Sequence, residues 1–137
     1  MSDPETSVYR LDGLVAVVTG AAQGLGLGIA RRLGQLGARV VMADLQVEKV
    51  QRAAKELSDH GVQVLSARHL DITDSSQVAA FFQDVVDQHG RLDALVNNAG
   101  LGQDVAAVVD LSDKQWDRVI RVTLTGTFYC CRTAGGI

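Results

Sequence analysis

Cysteine, proline and excess basic charge are all scarce in this chain, and each scarcity removes a class of protein. The two cysteines, Cys130 and Cys131, are adjacent, so no disulfide framework is available. Proline occurs once, at Pro4, inside a polar stretch over residues 1–10 that is expected to be a flexible lead-in. That stretch is acidic and polar, unlike a secretory signal. No apolar run approaches the ~20 residues of a membrane span. Lysine and arginine number 13 against 16 aspartates and glutamates, a net charge of −3, which gives no electrostatic footprint for nucleic acid. His60, His69 and His89 are scattered and lack a cysteine or carboxylate cluster, so they read as solvated helix-end residues and no metal site is expected. Hydrophobic residues at 47% and charged residues at 21% exclude a disordered chain. The expectation is one soluble, cytoplasmic domain without nucleic-acid or membrane partners.

Glycine, by contrast, is abundant, with 14 residues. It punctuates an alternation of apolar runs and helical stripes. Leu14 to Thr19 is a β-branched apolar run that reads as a strand buried on both faces. Gly24 to Leu36 carries Leu25, Ile29, Leu33 and Leu36 at helical spacing and stops at Gly37. Ala38 to Ala43 reads as a second strand, closed by Asp44. Gln46 to Asp59 reads as a helix with Val47, Val50, Ala54 and Leu57 on one stripe. Val62 to Ala67 alternates as a third strand. Asp74 to His89 is a third helix with Val78, Phe81, Phe82 and Val85 inward. Ala94 to Asn97 is a short fourth strand, and Ser112 to about Ala134 reads as one long capped helix, with Trp116 as a packing residue. Cys130 and Cys131 read as buried small hydrophobes on that helix. Strands alternating with helices imply a parallel sheet with right-handed crossovers, and the doubly wound α/β fold is the commonest such solution.

Thr19-Gly20-Ala21-Ala22-Gln23-Gly24-Leu25-Gly26 lies between the first strand and the first helix. Glycine lets the chain reverse tightly and lets backbone N–H groups approach an anion, and the helix N-terminus directs its dipole to the same place. A pyrophosphate suits this loop; an empty tight turn is the plain structural alternative. Asp44, 18 positions beyond Gly26, stands where a carboxylate accepts the ribose hydroxyls of a dinucleotide. It also suits capping of the next helix. The loop holds no basic residue and Leu45 follows Asp44, so nothing in this stretch neutralises a 2′-phosphate. NAD is therefore expected in preference to NADP.

The spacing Thr-Gly-x-x-x-Gly-x-Gly, together with Asn97-Asn98-Ala99-Gly100 after the fourth strand, resembles the classical short-chain dehydrogenase/reductase family. Asp71 in Asp71-Ile72-Thr73-Asp74 matches the family's acidic position beside the adenine. The resemblance runs from about Leu11 to the last residue. It implies a Rossmann-type doubly wound parallel sheet over residues 11–137, with hydride transfer between NAD and a small carbonyl or secondary alcohol. It implies that Gly20, Gln23, Gly24, Leu25 and Gly26 line the diphosphate and adenosine ribose. Asp44 would take the ribose hydroxyls, Asp71 and Ile72 would flank the adenine, and Asn98, Ala99 and Gly100 would run along the cofactor. Asn97 would steady the central sheet. It also implies a homo-oligomer formed through the helix from Ser112.

Two features depart from the family pattern. The family's catalytic Ser, Tyr and Lys include a Tyr-x-x-x-Lys pair. Here Gly13 follows Tyr9 by four places and Thr133 follows Tyr129 by four, and the lysines are Lys49, Lys55 and Lys114. No group is therefore offered for the acid–base step. In Val122-Thr123-Leu124-Thr125-Gly126 the family's relay Asn is replaced by Thr123, whose hydroxyl either holds a water or bonds back to its own helix. The expectation is a fold truncated after four β-α units: the cofactor-binding half of an enzyme, inactive alone. A non-catalytic NAD-binding or dimerising module is the alternative.

Overall fold

The computed structural model describes residues 9–102 and 106–137; the expected lead-in falls largely outside them. Among the described residues, four parallel strands form one sheet: β1 (Val15–Thr19), β2 (Arg39–Asp44), β3 (Val64–His69) and β4 (Ala94–Val96), in the order β3-β2-β1-β4. Helices α1 (Gly24–Gln35), α2 (Val47–Asp59) and α3 (Ser75–His89) connect them. After β4 come a 3-10 turn (Val108–Asp110), α4 (Asp113–Ile120), a π-helical segment (Arg121–Gly126) and α5 (Thr127–Gly135). This is the doubly wound α/β architecture that the alternation implied.

β1 is central, and all five of its residues are buried. Its pleat divides the core. Val18, with Val40 and Met42 of β2, packs under α1 and α2 against Ala30, Val50 and Leu57. Val15 and Val17, with Val41 and Ala43, face α3 and α5 and meet Phe81, Phe82, Val85 and Cys130. Central parallel strands are apolar on both faces for this reason. β4 pairs with β1 on one side and has no partner on the other among the described residues.

Several boundaries differ from the sequence reading. The third strand begins at Val64, because the Val62 N–H donates to Leu57 O (3.0 Å) and so belongs to the α2 stop at Gly61. Leu25 leaves the α1 stripe and is 80% exposed on the cleft wall; Gly26 and Ala30 are the buried positions. Trp116 is 59% exposed and does not pack inward. Cys130 is buried as expected but Cys131 is exposed. The long helix has the expected extent, yet its middle is π-helical. There the Thr127 hydroxyl donates to Thr123 O (2.8 Å), a back-bond that competes with the α ladder. The π segment ends at Gly126, where an added Cβ would lie 2.7 Å from the Ile72 side chain.

The caps are written in the sequence. Ser112 and Gln115 form a reciprocal capping box at α4. Asp74 caps α3, accepting from the Ser76 N–H (2.9 Å), the Gln77 N–H (3.1 Å) and the Ser76 hydroxyl (2.6 Å). These donors, the Ser76 hydroxyl foremost, hold the Asp74 carboxyl below its ordinary value. A lowered folded-state value means stability that is present above the unfolded value near ~4 and is lost as pH falls through the folded one. Asp74→Ala should therefore lower the melting temperature at pH 7, and the gap should narrow below about pH 4. An equal gap at pH 7 and pH 2 would assign the effect to something other than the carboxylate.

Candidate functional site

A cleft of about 600 Å³ opens at the carboxyl ends of the strands, lined by the loops that follow each of them. Crevices at this end of an open α/β sheet are where ligands bind. Its wall includes Gly20, Gln23, Gly24 and Leu25 from the glycine loop, Asp44 from the end of β2, and Asp71 and Ile72 from beyond β3. Asn98, Ala99 and Gly100 close it from beyond β4.

The glycine loop is fixed by packing. Gly20 adopts φ +63°, and a Cβ there would lie 2.9 Å from the Ala99 Cα and from the Asn98 Nδ2. At Gly26 a Cβ would lie 2.2 Å from Gly20 O and 2.5 Å from Asn98 Nδ2. Gly26 thus lies beneath the loop, not along the cleft wall. Its role is to let α1 close onto the turn above it.

Thr19, buried to 1% exposure at the end of β1, is the hub of this corner. Its hydroxyl donates to Val96 O (3.3 Å) and accepts from the N–H groups of Asn98 (3.1 Å) and Ala99 (3.0 Å). The Asn98 side-chain amide donates to Thr19 O (3.1 Å) and Gly20 O (3.0 Å). Asn98 therefore clamps the glycine loop to the loop after β4, which fixes the cleft's width. Asn97 donates to the Cys131 Sγ at 3.2 Å, joining the sheet's end to α5. Burial pushes the neighbouring Cys130 thiol up to about 11, so it stays protonated and serves as packing.

The Asp44 carboxylate spans two segments. Oδ2 accepts from the Ala22 N–H (3.0 Å) and Oδ1 from the Gln46 N–H (2.9 Å). It holds the glycine loop to the start of α2 while still lining the cleft. Asp71 accepts from the Thr73 N–H (2.9 Å) and hydroxyl (2.7 Å), which shapes the turn that carries Ile72.

The N-terminus of α1 has no side-chain cap, and its first turn carries no acidic residue. α3 and α4 both have capping side chains. Unclaimed N–H groups at a helix start, directed into a cleft, form an anion site. Gln23, at the N-cap position, does not cap; its side-chain oxygen accepts from the Lys49 ammonium instead.

Thr123 lies outside the cleft wall. Its hydroxyl accepts from the Leu101 N–H (3.4 Å), so it bonds across to the loop after β4 and not back to its own helix. Nine wall positions lie outside the expected site residues, among them Leu101, Thr73, Arg118 and Val122. Arg118 and Val122 are four residues apart on the helix that crosses the cleft, a spacing visible in the sequence once the helix is docked there. Thr19 opens the loop motif, but its part as the hub depends on contacts with Val96, Asn98 and Ala99 that the motif does not announce. Among the described residues, no group of three or more His, Cys, Asp or Glu is placed to hold a metal ion.

The chain matches the family model described as short chain dehydrogenase over residues 14–135. It is 39% identical over 128 residues to a D-threitol dehydrogenase of Mycolicibacterium smegmatis, covering 93% of this chain and 48% of that protein. It is 41% identical over 127 residues to an uncharacterized oxidoreductase of Mycobacterium bovis, covering 93% and 50%. A crystal structure of a short chain dehydrogenase from Mycobacterium smegmatis superposes with a TM-score of 0.86 at 41% identity, covering 92% of this chain and 52% of that one. A metagenomic short-chain oxidoreductase in complex with NADP gives a TM-score of 0.84 at 40% identity, covering 92% and 57%. The chain thus spans about half the length of these relatives. By the family match and by its fold, the chain belongs to the short-chain dehydrogenase/reductase family of oxidoreductases.

Proposed function

We propose that this chain is the dinucleotide-binding half of an oxidoreductase that moves hydride between NAD and the carbonyl or secondary alcohol carbon of a small molecule. The observation that carries the reading is the uncapped N-terminus of α1 facing the same cleft as the Asp44 carboxylate. One end of that arrangement suits a diphosphate and the other a pair of ribose hydroxyls. The close-packed glycines support the fit, because a Cβ at Gly20 would enter the corner that the Asn98 clamp defines.

Each residue then has a binding task. The N–H groups at the start of α1 hold the diphosphate, with Gly24 and Leu25 beside it. Asp44 accepts the adenosine ribose hydroxyls. Asp71 and Ile72 flank the adenine, and Asn98, Ala99 and Gly100 set the path of the remainder. The nicotinamide supplies or accepts the hydride when bound. Acid–base chemistry at the substrate oxygen falls to groups outside this sequence, since it contains no Tyr-x-x-x-Lys. In the whole protein, the exposed Trp116, Leu124 and Phe128 face of the helix after β4 supports assembly with a second copy. No helix among the described residues is long and apolar enough to cross a membrane; a cytoplasmic site of action fits the two free thiols.

Calorimetric titration of NAD into the purified chain tests this. Saturable one-to-one binding without substrate turnover is expected. A folded chain that takes up no NAD would overturn the reading.

A further inference from the structure

We propose, on the dinucleotide reading above, that Gly126 is a positioning residue of the cleft: it seats Ile72 at the depth where that side chain meets the adenine. Arg118, Val122, Gly126 and Cys130 follow one another at steps of four along the helix after β4. Arg118 and Val122 line the cleft, Gly126 is buried, and Cys130 is 0% exposed. Four residues overshoot one α turn by about 40°, so three such steps would carry the row roughly 120° round an unbroken α-helix. The wider turn of the π segment, Arg121–Gly126, takes the middle step back. One row thus faces inward along the whole helix, and Gly126 is its member that meets the loop after β3.

That meeting leaves no space. A Cβ at Gly126 would lie 2.7 Å from both Cγ1 and Cδ1 of Ile72 and 3.2 Å from its carbonyl oxygen. Carbon atoms rest at about 3.5–4.0 Å from one another. The Gly126 backbone is ordinary helix, φ −61° and ψ −44°, which any residue adopts. Glycine weakens a helix interior; what it offers here is the close approach alone.

Ile72 is 6% exposed and packs in the same apolar cluster as Cys130 and Val122, so only one narrow face of it remains for a ligand. Its loop is tied down: Asp71 accepts from the Thr73 N–H (2.9 Å), and the Asp74 N–H donates to Asp71 O (3.2 Å). The helix in turn is held by the buried Cys130, four residues further on. Bulk added at Gly126 is therefore relieved by the Ile72 side chain, which moves toward the cleft and into the space of the ring that lies on it.

The test is a double-substitution cycle read by calorimetric titration of NAD into the purified chain, with circular dichroism confirming each fold. Gly126→Ala should weaken NAD roughly tenfold, the low end of an overpacking penalty. In the Ile72→Ala background, which lacks both clashing carbons, the same substitution should change NAD affinity by less than about twofold. A merely structural role for Gly126 gives the same loss in both backgrounds. That result, or an unchanged affinity for Gly126→Ala in the parent chain, overturns the assignment while the dinucleotide reading stands. Amide hydrogen exchange adds an arm that needs no folded Gly126→Ala protein. Saturating NAD should slow exchange at Gly126 and Thr127 in the parent chain and leave it unchanged in Ile72→Ala. Equal slowing in both, or none in the parent, overturns the assignment. A folded parent chain that takes up no NAD removes this assignment and the dinucleotide reading together.

Discussion

Gly26→Ala should abolish dinucleotide binding and cost the fold about 3 kcal/mol, the upper part of the range for overpacking. The new Cβ would lie 2.2 Å from Gly20 O and 2.5 Å from Asn98 Nδ2. The first of these is backbone, which no rotamer change relieves. Either α1 withdraws from the glycine loop or the Asn98 clamp opens, and both outcomes displace the N–H groups that line the cleft. Gly28→Ala, two residues along the same helix, is the matched control. A Cβ at Gly28 meets nothing within 4 Å. That variant should gain about 0.5–1 kcal/mol, because alanine restricts the unfolded chain more than glycine does. Urea unfolding midpoints for the two variants should therefore move in opposite directions. Equal shifts would show that helix propensity, not packing beneath the loop, governs Gly26.

Asp44→Ala should weaken NAD about 100-fold or more. Two hydrogen bonds from ribose hydroxyls to a carboxylate are each worth about 1.5–3 kcal/mol. The same substitution releases the N–H groups of Ala22 and Gln46, so some of the loss reflects a loosened loop. NADP separates the two contributions. Removing the carboxylate removes a repulsion that only the 2′-phosphate experiences, so NADP should lose much less affinity than NAD, or gain some. A parallel loss for both cofactors, measured by calorimetry, would assign Asp44 to loop anchoring alone.

Much of this molecule is legible in its sequence, for identifiable reasons. β1 and β2 are apolar on both faces because central parallel strands are covered on both sides, and α3 shows Val78, Phe81, Phe82 and Val85 at the spacing of one buried stripe. The glycine loop and Asp44 are legible because their task needs backbone N–H groups and a carboxylate at a set separation. Local signals mislead where tertiary contacts decide. Leu25 fits a helical stripe but stands exposed on the cleft wall. Trp116 has the character of a core residue, yet it stands largely exposed on α4. The π segment arises where Gly126 settles on Ile72, a contact that spans 54 positions and that no local periodicity announces. The approach of Lys49 to Gln23 is illegible for the same reason: it crosses 26 positions and depends on how α2 lies against the loop.

The sheet order also sets a sequence of events in time. Asp44 meets Ala22 across 22 positions, while Asn98 meets Thr19 across 79. Closing the longer loop costs about 1 kcal/mol more in chain entropy. On an elongating polypeptide, β1 to β3 can pair well before β4 leaves the ribosome. The ribose corner therefore matures early, and the Asn98 clamp arrives last. Until then β1, at the centre of the finished sheet, has one bare edge. That interval is when nascent chains are most prone to pair with each other, so fewer chains in synthesis at once, as at a lower induction level, should raise the yield of folded protein.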